Sequence, residues 1–386
     1  MPTIPKRFYS LDVLRGVAAL SVVLWHWQHF FLPLNHRGLA FVRAQQPGFD
    51  ALYIFYEYGV QAVQLFFCLS GFIFFWLYAK PIASKLLSVR VFAALRFSRL
   101  YPLHIVTLLA AAVMQLVYLD VTGTYFVYPS NDMYHFLLNL LFASSWGFEK
   151  GFSFNAPIWS VSVEVLLYGL FFVFCRLFHR NLIALVLAVV VGHFLMYRLD
   201  YFVAMGVESF FLGGLVFIAY EKIVRSGDPW QLSKSIPMLV GLAWLATIAA
   251  LNPHVGLQVN ELFSPLQEIA AGWSVFFLFP GTILALSLVE TKRGTLGKRC
   301  VVVGDISYSV YLLHFPMQLI AATIAARLTI GPALFYAPWF MALFYLLLIG
   351  ISLLSHTYFE LPMQHVLRKH LNDDKRVSHS AITELL

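Results

Sequence analysis

Apolar residues arrive in long unbroken blocks, with neither the amphipathic stripe of a surface helix nor the alternation of a half-buried strand. Ten blocks approach or exceed the ~20 residues that carry a helix across a bilayer. Their approximate limits are 11–32, 57–79, 99–119, 158–178, 181–198, 203–221, 235–251, 267–289, 304–327 and 334–360. The pattern predicts an all-α polytopic membrane protein of about ten transmembrane helices. It argues against a membrane β-barrel, whose strands alternate apolar and polar residues. A further apolar piece, 133–146, is too short to cross and is expected to be re-entrant or interfacial. One membrane domain is expected over 8–362, followed by a cytoplasmic C-terminal tail, 363–386. The largest hydrophilic stretches between spans are 33–56 and 120–157, and no internal repeat of fixed period is visible.

Composition agrees with this reading. The chain of 386 residues is 60% hydrophobic and 12% charged, about half the charged share of a soluble domain. A soluble globular enzyme, a disordered chain and a secreted disulfide scaffold are excluded. The net charge of +7 does not point to nucleic acid, because the basic residues sit in short runs between apolar blocks. With the N-terminus inside and 133–146 not crossing, 21 Lys and Arg fall on the cytoplasmic side and 5 outside, as the positive-inside rule requires. Both termini are therefore expected in the cytoplasm. The expected location is the inner (plasma) membrane. Lys6 and Arg7 before the first block resemble a signal peptide, but Arg15 interrupts the start and no small-residue cleavage site follows, so the block reads as a retained span. Cys68, Cys175 and Cys300 imply no disulfide.

Ionisable groups inside spans are costly and usually face a cavity or a partner. In the first span, Arg15 and His26 are eleven residues apart, about three helical turns and ~16 Å along one face. An imidazole at that depth can take a proton from a hydroxyl. The competing reading is a buried, hydrogen-bonded histidine with Arg15 snorkelling to lipid phosphate. His29 suggests a metal pair with His26, but no acidic or cysteine companion stands at ligand spacing, so no metal site is expected. After the second span, Arg96 and Arg99 share a helix face at i,i+3. Two guanidinium forks side by side suit a phosphate or pyrophosphate, and topogenic charge explains them equally well.

Two later segments carry polar residues on apolar helices. In Asn155-Ala-Pro157-Ile-Trp159-Ser160-Val-Ser162-Val-Glu164, followed by Tyr168, the last two lie at i,i+4. Glu164 either binds an acceptor hydroxyl or catalytic group or pairs with a cation to hold the bundle, while Trp159 also fits an interfacial belt. Ser307, Tyr311 and His314 form one stripe at i, i+4 and i+7, with His314 expected close to the level of His26. The stripe suits a cavity wall or a hydrogen-bonded helix contact. Ser70-Gly71 in the second span most often means close helix packing.

Taken together, LDVLRGVAALSVVLWHW, FFCLSGFIFFW, RFSRLYP, IWSVSVEVLLYGLF, DISYSVYLLHFP and the closing FELP resemble the acyltransferase-3 family of integral membrane acyltransferases, over about 8–362. The family's arginine–ten residues–histidine pattern falls on Arg15 and His26, its paired arginines on Arg96 and Arg99, and its Ser-Gly-Phe motif on Ser70 to Phe72. Its later Glu and Tyr fall on Glu164 and Tyr168, and its Tyr-Leu-x-His-x-Pro pattern on Tyr311 to Pro316. The resemblance implies transfer of an acyl group, usually acetyl, from cytoplasmic acyl-CoA to a hydroxyl of an extracytoplasmic glycan or lipid-linked sugar, such as lipopolysaccharide O-antigen or exopolysaccharide. His26, Glu164 and Arg15 are then the catalytic candidates. Arg96, Arg99 and Arg15 are candidates for holding the donor, and Trp159, Tyr168, Tyr311, His314 and Ser70 for the acceptor. No tightly bound cofactor and no metal are expected; acetyl-CoA is a substrate. Some family members carry a fused extracytoplasmic hydrolase-like domain. It is expected to be lacking here, so any protein partner on that side would be a separate chain. The rival class is a transporter or flippase of a glycan or acyl precursor, which would also have many spans and mid-depth polar groups.

Overall fold

The computed structural model describes residues 4–32, 41–196, 198, 200–226, 229–251 and 272–369, with the side chains of 229–233 left aside. The principal helices are α1 (Tyr9–Trp25), α2 (Phe49–Tyr58), α3 (Ala62–Leu77), α4 (Val89–Thr122), α5 (Met133–Leu140), α6 (Trp159–Phe178) and α7 (Leu182–Leu195). They continue with α8 (Tyr201–Arg225), α9 (Pro229–Leu251), α10 (Phe279–Arg293), α11 (Ser307–Arg327), α12 (Pro338–Ser355) and α13 (Leu361–Arg368). Among the described residues there is no strand, and none of the three cysteines forms a disulfide.

Eight helical stretches, among the described residues, are long and apolar enough to cross a membrane. Two of the ten expected blocks fall short of that length as single α-helices. The first block forms an α-helix only to Trp25 and then tightens into a 3₁₀ turn, His26–Phe30. The fifth block yields α7, 14 residues long, or about 21 Å against the ~30 Å of a hydrocarbon core. The 133–146 piece yields α5, eight residues and about 12 Å long, as its length required. Two spans begin earlier than hydrophobicity alone indicated. One starts at Phe49 within the expected loop 33–56, of which 33–40 lie outside the described residues. The other, α4, starts at Val89 behind the side-chain cap of Ser88, because Arg, Ala and Leu continue a helix readily. The start of the expected span at 267–271 and the tail beyond 369 lie outside the described residues.

The chain divides into two compact units. The first comprises Met1–Val22, Tyr53–Lys80 and Phe178–Asp305. Close backbone approach builds it, as expected where lipid gives helices no hydrophobic reason to associate. A Cβ on Gly71 of α3 would stand 1.8 Å from the Phe210 carbonyl oxygen of α8, and one on Gly213 would stand 1.9 Å from that of Cys68. The fully buried Glu290 of α10 caps the start of α1, accepting from the backbone N–H of Tyr9 and Ser10 and from the Ser10 hydroxyl.

The second unit comprises Val23–Leu52, Pro81–Leu177 and Ile306–Leu386. Here α11 packs on α4 and α12, and α13 returns to α4. The Tyr308 hydroxyl donates to the Leu100 carbonyl at 2.6 Å, and Arg368 Nε donates to Ser98 Oγ at 2.9 Å. Between α4 and α6 the chain is tied down by side chains. Gln115 exchanges two hydrogen bonds with the backbone of Phe126, Asn139 Nδ2 reaches Ser153 Oγ, and Ser162 Oγ holds the Phe142 carbonyl. Asp132 caps α5 through the His135 N–H. That backbone bond, the His135 ring and nearby Lys150 hold the Asp132 carboxyl below its ordinary range.

Candidate active site

The most concentrated buried polar chemistry lies in the second unit, around the 3₁₀ turn that follows α1. A 3₁₀ turn repeats every three residues, so side chains at i and i+3 eclipse. His26 and His29 consequently stack, with ring centroids 4.5 Å apart and planes inclined by 25°. Both are buried, His26 at 4% exposure and His29 at 2%. Opposite them stands the polar stripe of α11. His26 Nδ1 lies 2.8 Å from His314 Nε2, in nearly parallel rings. His314 Nδ1 lies 2.6 Å from the Tyr311 carbonyl oxygen.

Gln318, one turn beyond His314, ties both parts of the turn to α11. Its Nε2 donates to the His26 carbonyl at 3.0 Å, and its Oε1 lies 3.2 Å from His29 Nδ1. The second nitrogen of His29 meets the Tyr128 hydroxyl at 3.1 Å. Burial first, and then the neighbouring Tyr311, push the Tyr128 phenol above its ordinary range. Because Gln318 Oε1 only accepts, His29 carries its ring proton on Nδ1, and the Tyr128 hydroxyl donates to Nε2.

The opposite wall comes from the entry to α6. Tyr311 donates to the Pro157 carbonyl at 2.8 Å and shares a 2.7 Å hydrogen bond with Ser160. Asn155 Nδ2 donates to the Leu312 carbonyl at 3.0 Å. The Asn155 Oδ1, in a residue 1% exposed, has no hydrogen-bond partner among the described residues. Pro157 sits in the first turn of the short 3₁₀ helix Ala156–Ile158 that leads into α6, where its missing N–H costs nothing.

The arginine pair gathers at a second cluster of the same unit. Arg96 and Arg99, both half-buried on α4, act electrostatically on Tyr168 of α6, which is also hydrogen-bonded to Glu164. Glu360 and Glu164 act on Tyr308 in one sense and Arg99 in the other. Glu360 ends a π-helical turn, His356–Glu360, and accepts from Ser309 at 2.5 Å and Ser355 at 3.0 Å. Glu164 also reaches Tyr311 electrostatically, so one carboxylate bears on both clusters.

The candidates thus separate as follows. His26, His314 and Tyr311 form one cluster, and Arg96, Arg99, Glu164 and Tyr168 form the other. Trp159 stands half-buried at the head of α6. Arg15 belongs to the first unit, where its guanidinium meets Asp12 Oδ1 at 3.0 Å and the Gly304 carbonyl at 3.1 Å. Ser70 is also in the first unit, beside the α3–α8 approach at Gly71.

Four participants were not singled out from sequence. Gln318 had a signal, since it extends the α11 stripe by four residues. His29 stands out in the sequence only as a metal-ligand candidate. Tyr128 lies outside any periodic segment, and Glu360 was visible only as part of FELP.

Comparison with known proteins agrees with this architecture. A family model described as an acyltransferase domain, that of the acyltransferase-3 family, matches residues 8–356. "Acyltransferase MdmB" of Streptomyces mycarofaciens is 35% identical over 185 residues, 47% of this chain and 42% of that protein. "Protein 2 in picA locus" of Rhizobium radiobacter is 36% identical over 104 residues, 27% of this chain and 44% of that protein. The chain spans less than half the length of either relative. No solved structure matches it. With a family match over most of the chain and eight helices able to cross a membrane, the chain belongs to the acyltransferase-3 family of multi-pass membrane acyltransferases.

Proposed function

We propose that the protein transfers an acyl group, most simply acetyl, from cytoplasmic acyl-CoA to a hydroxyl of an extracytoplasmic polysaccharide or glycolipid. In this reading it resides in the inner (plasma) membrane with both termini in the cytoplasm. Arg96 and Arg99 then face the side from which the coenzyme comes, and their paired forks hold its phosphates. Arg15 is assigned to the donor by its place in the sequence motif. The thioester enters toward His26, which deprotonates the acceptor hydroxyl or carries the acyl group transiently. Glu164 and Tyr168 share the arginines' cluster, Glu164 also acts on Tyr311, and both are assigned to steering substrate toward the imidazole. Trp159, Tyr311 and Ser160 line the acceptor side; Ser70 is assigned there by its motif alone. A thioester is already activated, so the assigned protein chemistry is a base and positioning.

The observation that carries the reading is the buried His26–His314 contact at 2.8 Å in the same unit as the arginine pair. Polar groups placed so deeply inside apolar helices call for a function. The test is label transfer from [¹⁴C]acetyl-CoA to glycan in native inverted membrane vesicles. His26→Ala should lose it by at least about a hundredfold, the lower range for a general base. Transfer at the parental rate would sink the assignment. Movement of a glycan or acyl precursor without thioester consumption would favour a transporter.

A further inference from the structure

The hydrogen bonds around His26 fix more than its position. His314 Nδ1 faces backbone carbonyl oxygens, Tyr311 at 2.6 Å and Val310 within hydrogen-bonding reach. A carbonyl only accepts, so Nδ1 must carry the proton of neutral His314. Its Nε2 is then a bare acceptor. That nitrogen lies 2.8 Å from His26 Nδ1, so His26 must carry its own proton on Nδ1 and donate it. The lone pair of His26 is left on Nε2, to which nothing among the described residues hydrogen-bonds. Each assignment follows from the previous one, and the chain begins at a backbone carbonyl of α11 that cannot change its role.

We propose that His314 is the positioning residue of the reaction: it locks His26 in the Nδ1–H form, aims Nε2 as the base, and shares the charge that forms there. The inference rests on the base role proposed for His26. As the acceptor oxygen bonds to the acyl carbon, its proton passes to His26 Nε2. The resulting imidazolium strengthens its Nδ1–H bond to His314. When the C–S bond breaks, the proton on Nε2 passes to the departing thiolate. The two imidazoles end as they began, and the net change is ester plus free thiol.

The arrangement parallels the carboxylate that orients a catalytic imidazole in hydrolases, with a neutral ring in place of the carboxylate. A membrane interior explains that choice. An anion buried in apolar helices is costly to keep, whereas a neutral imidazole accepts one hydrogen bond, donates another and leaves no charge between turnovers. Gln318 and His29 brace the same turn from its other side. They hold the His26 backbone, while His314 alone, among the described residues, holds the His26 ring by a hydrogen bond.

The test uses the full chain in native inverted vesicles that contain the endogenous acceptor, with [¹⁴C]acetyl-CoA as donor. His314→Ala should lower kcat roughly 10²–10⁴-fold and leave the KM for acetyl-CoA unchanged. His314→Gln supplies an amide oxygen that accepts from His26 Nδ1–H. It should stay within about tenfold of the parent, because one neutral hydrogen bond replaces another. In the purified parent protein, ¹⁵N NMR of labelled histidine should find the His26 proton on Nδ1 and its lone pair on Nε2. The proposal is overturned if His314→Ala keeps kcat within about threefold, if the glutamine variant is as inactive as the alanine one, or if His26 carries its proton on Nε2. The NMR result stands even if a variant fails to fold. An active His26→Ala variant would instead remove the base reading itself, so the two failures are separable.

Discussion

Replacing Gln318 by leucine keeps the volume of the side chain and removes both of its polar ends. Two contacts disappear: the 3.0 Å donation to the His26 carbonyl and the 3.2 Å contact with His29 Nδ1. Counted as buried groups left without partners, the loss would reach about 2–6 kcal/mol. Hydrogen bonds between membrane helices measure lower, about 0.6 kcal/mol on average and ~1.7 at most. The lower scale fits this site. His29 can shift its proton to the other nitrogen and donate to Tyr128, a hydroxyl that accepts as well as donates. The expected loss of stability is therefore about 1–2 kcal/mol. The effect on turnover should exceed what that figure implies, because the turn carrying His26 loses its tie to α11. A misplacement near 1 Å can cost about a hundredfold in rate. Reversible unfolding in detergent and initial-rate label transfer from acetyl-CoA report the two effects separately. We expect a modest loss of stability, kcat down about ten- to a hundredfold, and an unchanged KM for acetyl-CoA. Parental kcat in a variant that unfolds earlier would show that Gln318 only stabilises the bundle, and would refute its link to His26.

Two further expectations concern the packing within each unit. Gly71→Ala puts a methyl group 1.8 Å from the Phe210 carbonyl oxygen, where only backbone movement relieves the clash; overpacking of this kind costs about 1–3 kcal/mol. It should lower the unfolding midpoint in detergent, and an unchanged midpoint would contradict the close α3–α8 approach. The Asp132 cap of α5 makes the segment that follows it sensitive to acid. The folded state holds this carboxyl below its ordinary range, so its stabilisation is complete above the unfolded pKa and is lost as pH falls through the lowered folded value. Amide exchange over residues 133–154, corrected for intrinsic rate, should accelerate below about pH 4 in the parent protein. Asp132→Asn keeps a capping oxygen without a titrating group and should lack this step; the same step in both proteins would count against the cap.

Much of the fold could be read from hydropathy because a bilayer leaves few alternatives: a backbone in lipid must satisfy its own polar groups, and a long apolar block becomes a helix. The same rule is poor at ends. It placed the start of the third span at residue 99, where arginines interrupt the apolar run, whereas α4 begins at Val89 and carries Arg90, Arg96 and Arg99 on continuous helix. It also carried the first span through 32, because hydropathy does not distinguish an α-helix from the 3₁₀ turn that replaces it after Trp25. That change of pitch is what brings His26 and His29 into register.

Which helices meet was the less legible part, and the reason is physical. Hydropathy identifies a span but not its neighbour, since lipid tails are as apolar as leucine and give no preference among partners. His26 and His314 are 288 residues apart; the sequence sets them at similar depth but does not pair them. The α11 stripe showed which side of that helix was polar; it did not show that Ser309 turns to Glu360, Tyr311 to Ser160 and Pro157, and His314 to His26. The polar groups around the 3₁₀ turn form one directed series of hydrogen bonds. Tyr128 donates to His29, His29 to Gln318, Gln318 to the His26 carbonyl, His26 to His314, and His314 to a carbonyl of its own helix. Every imidazole nitrogen in that series has a partner among the described residues except His26 Nε2. In an apolar interior such groups are ordinarily satisfied, so the open position is where an external hydroxyl would complete the set.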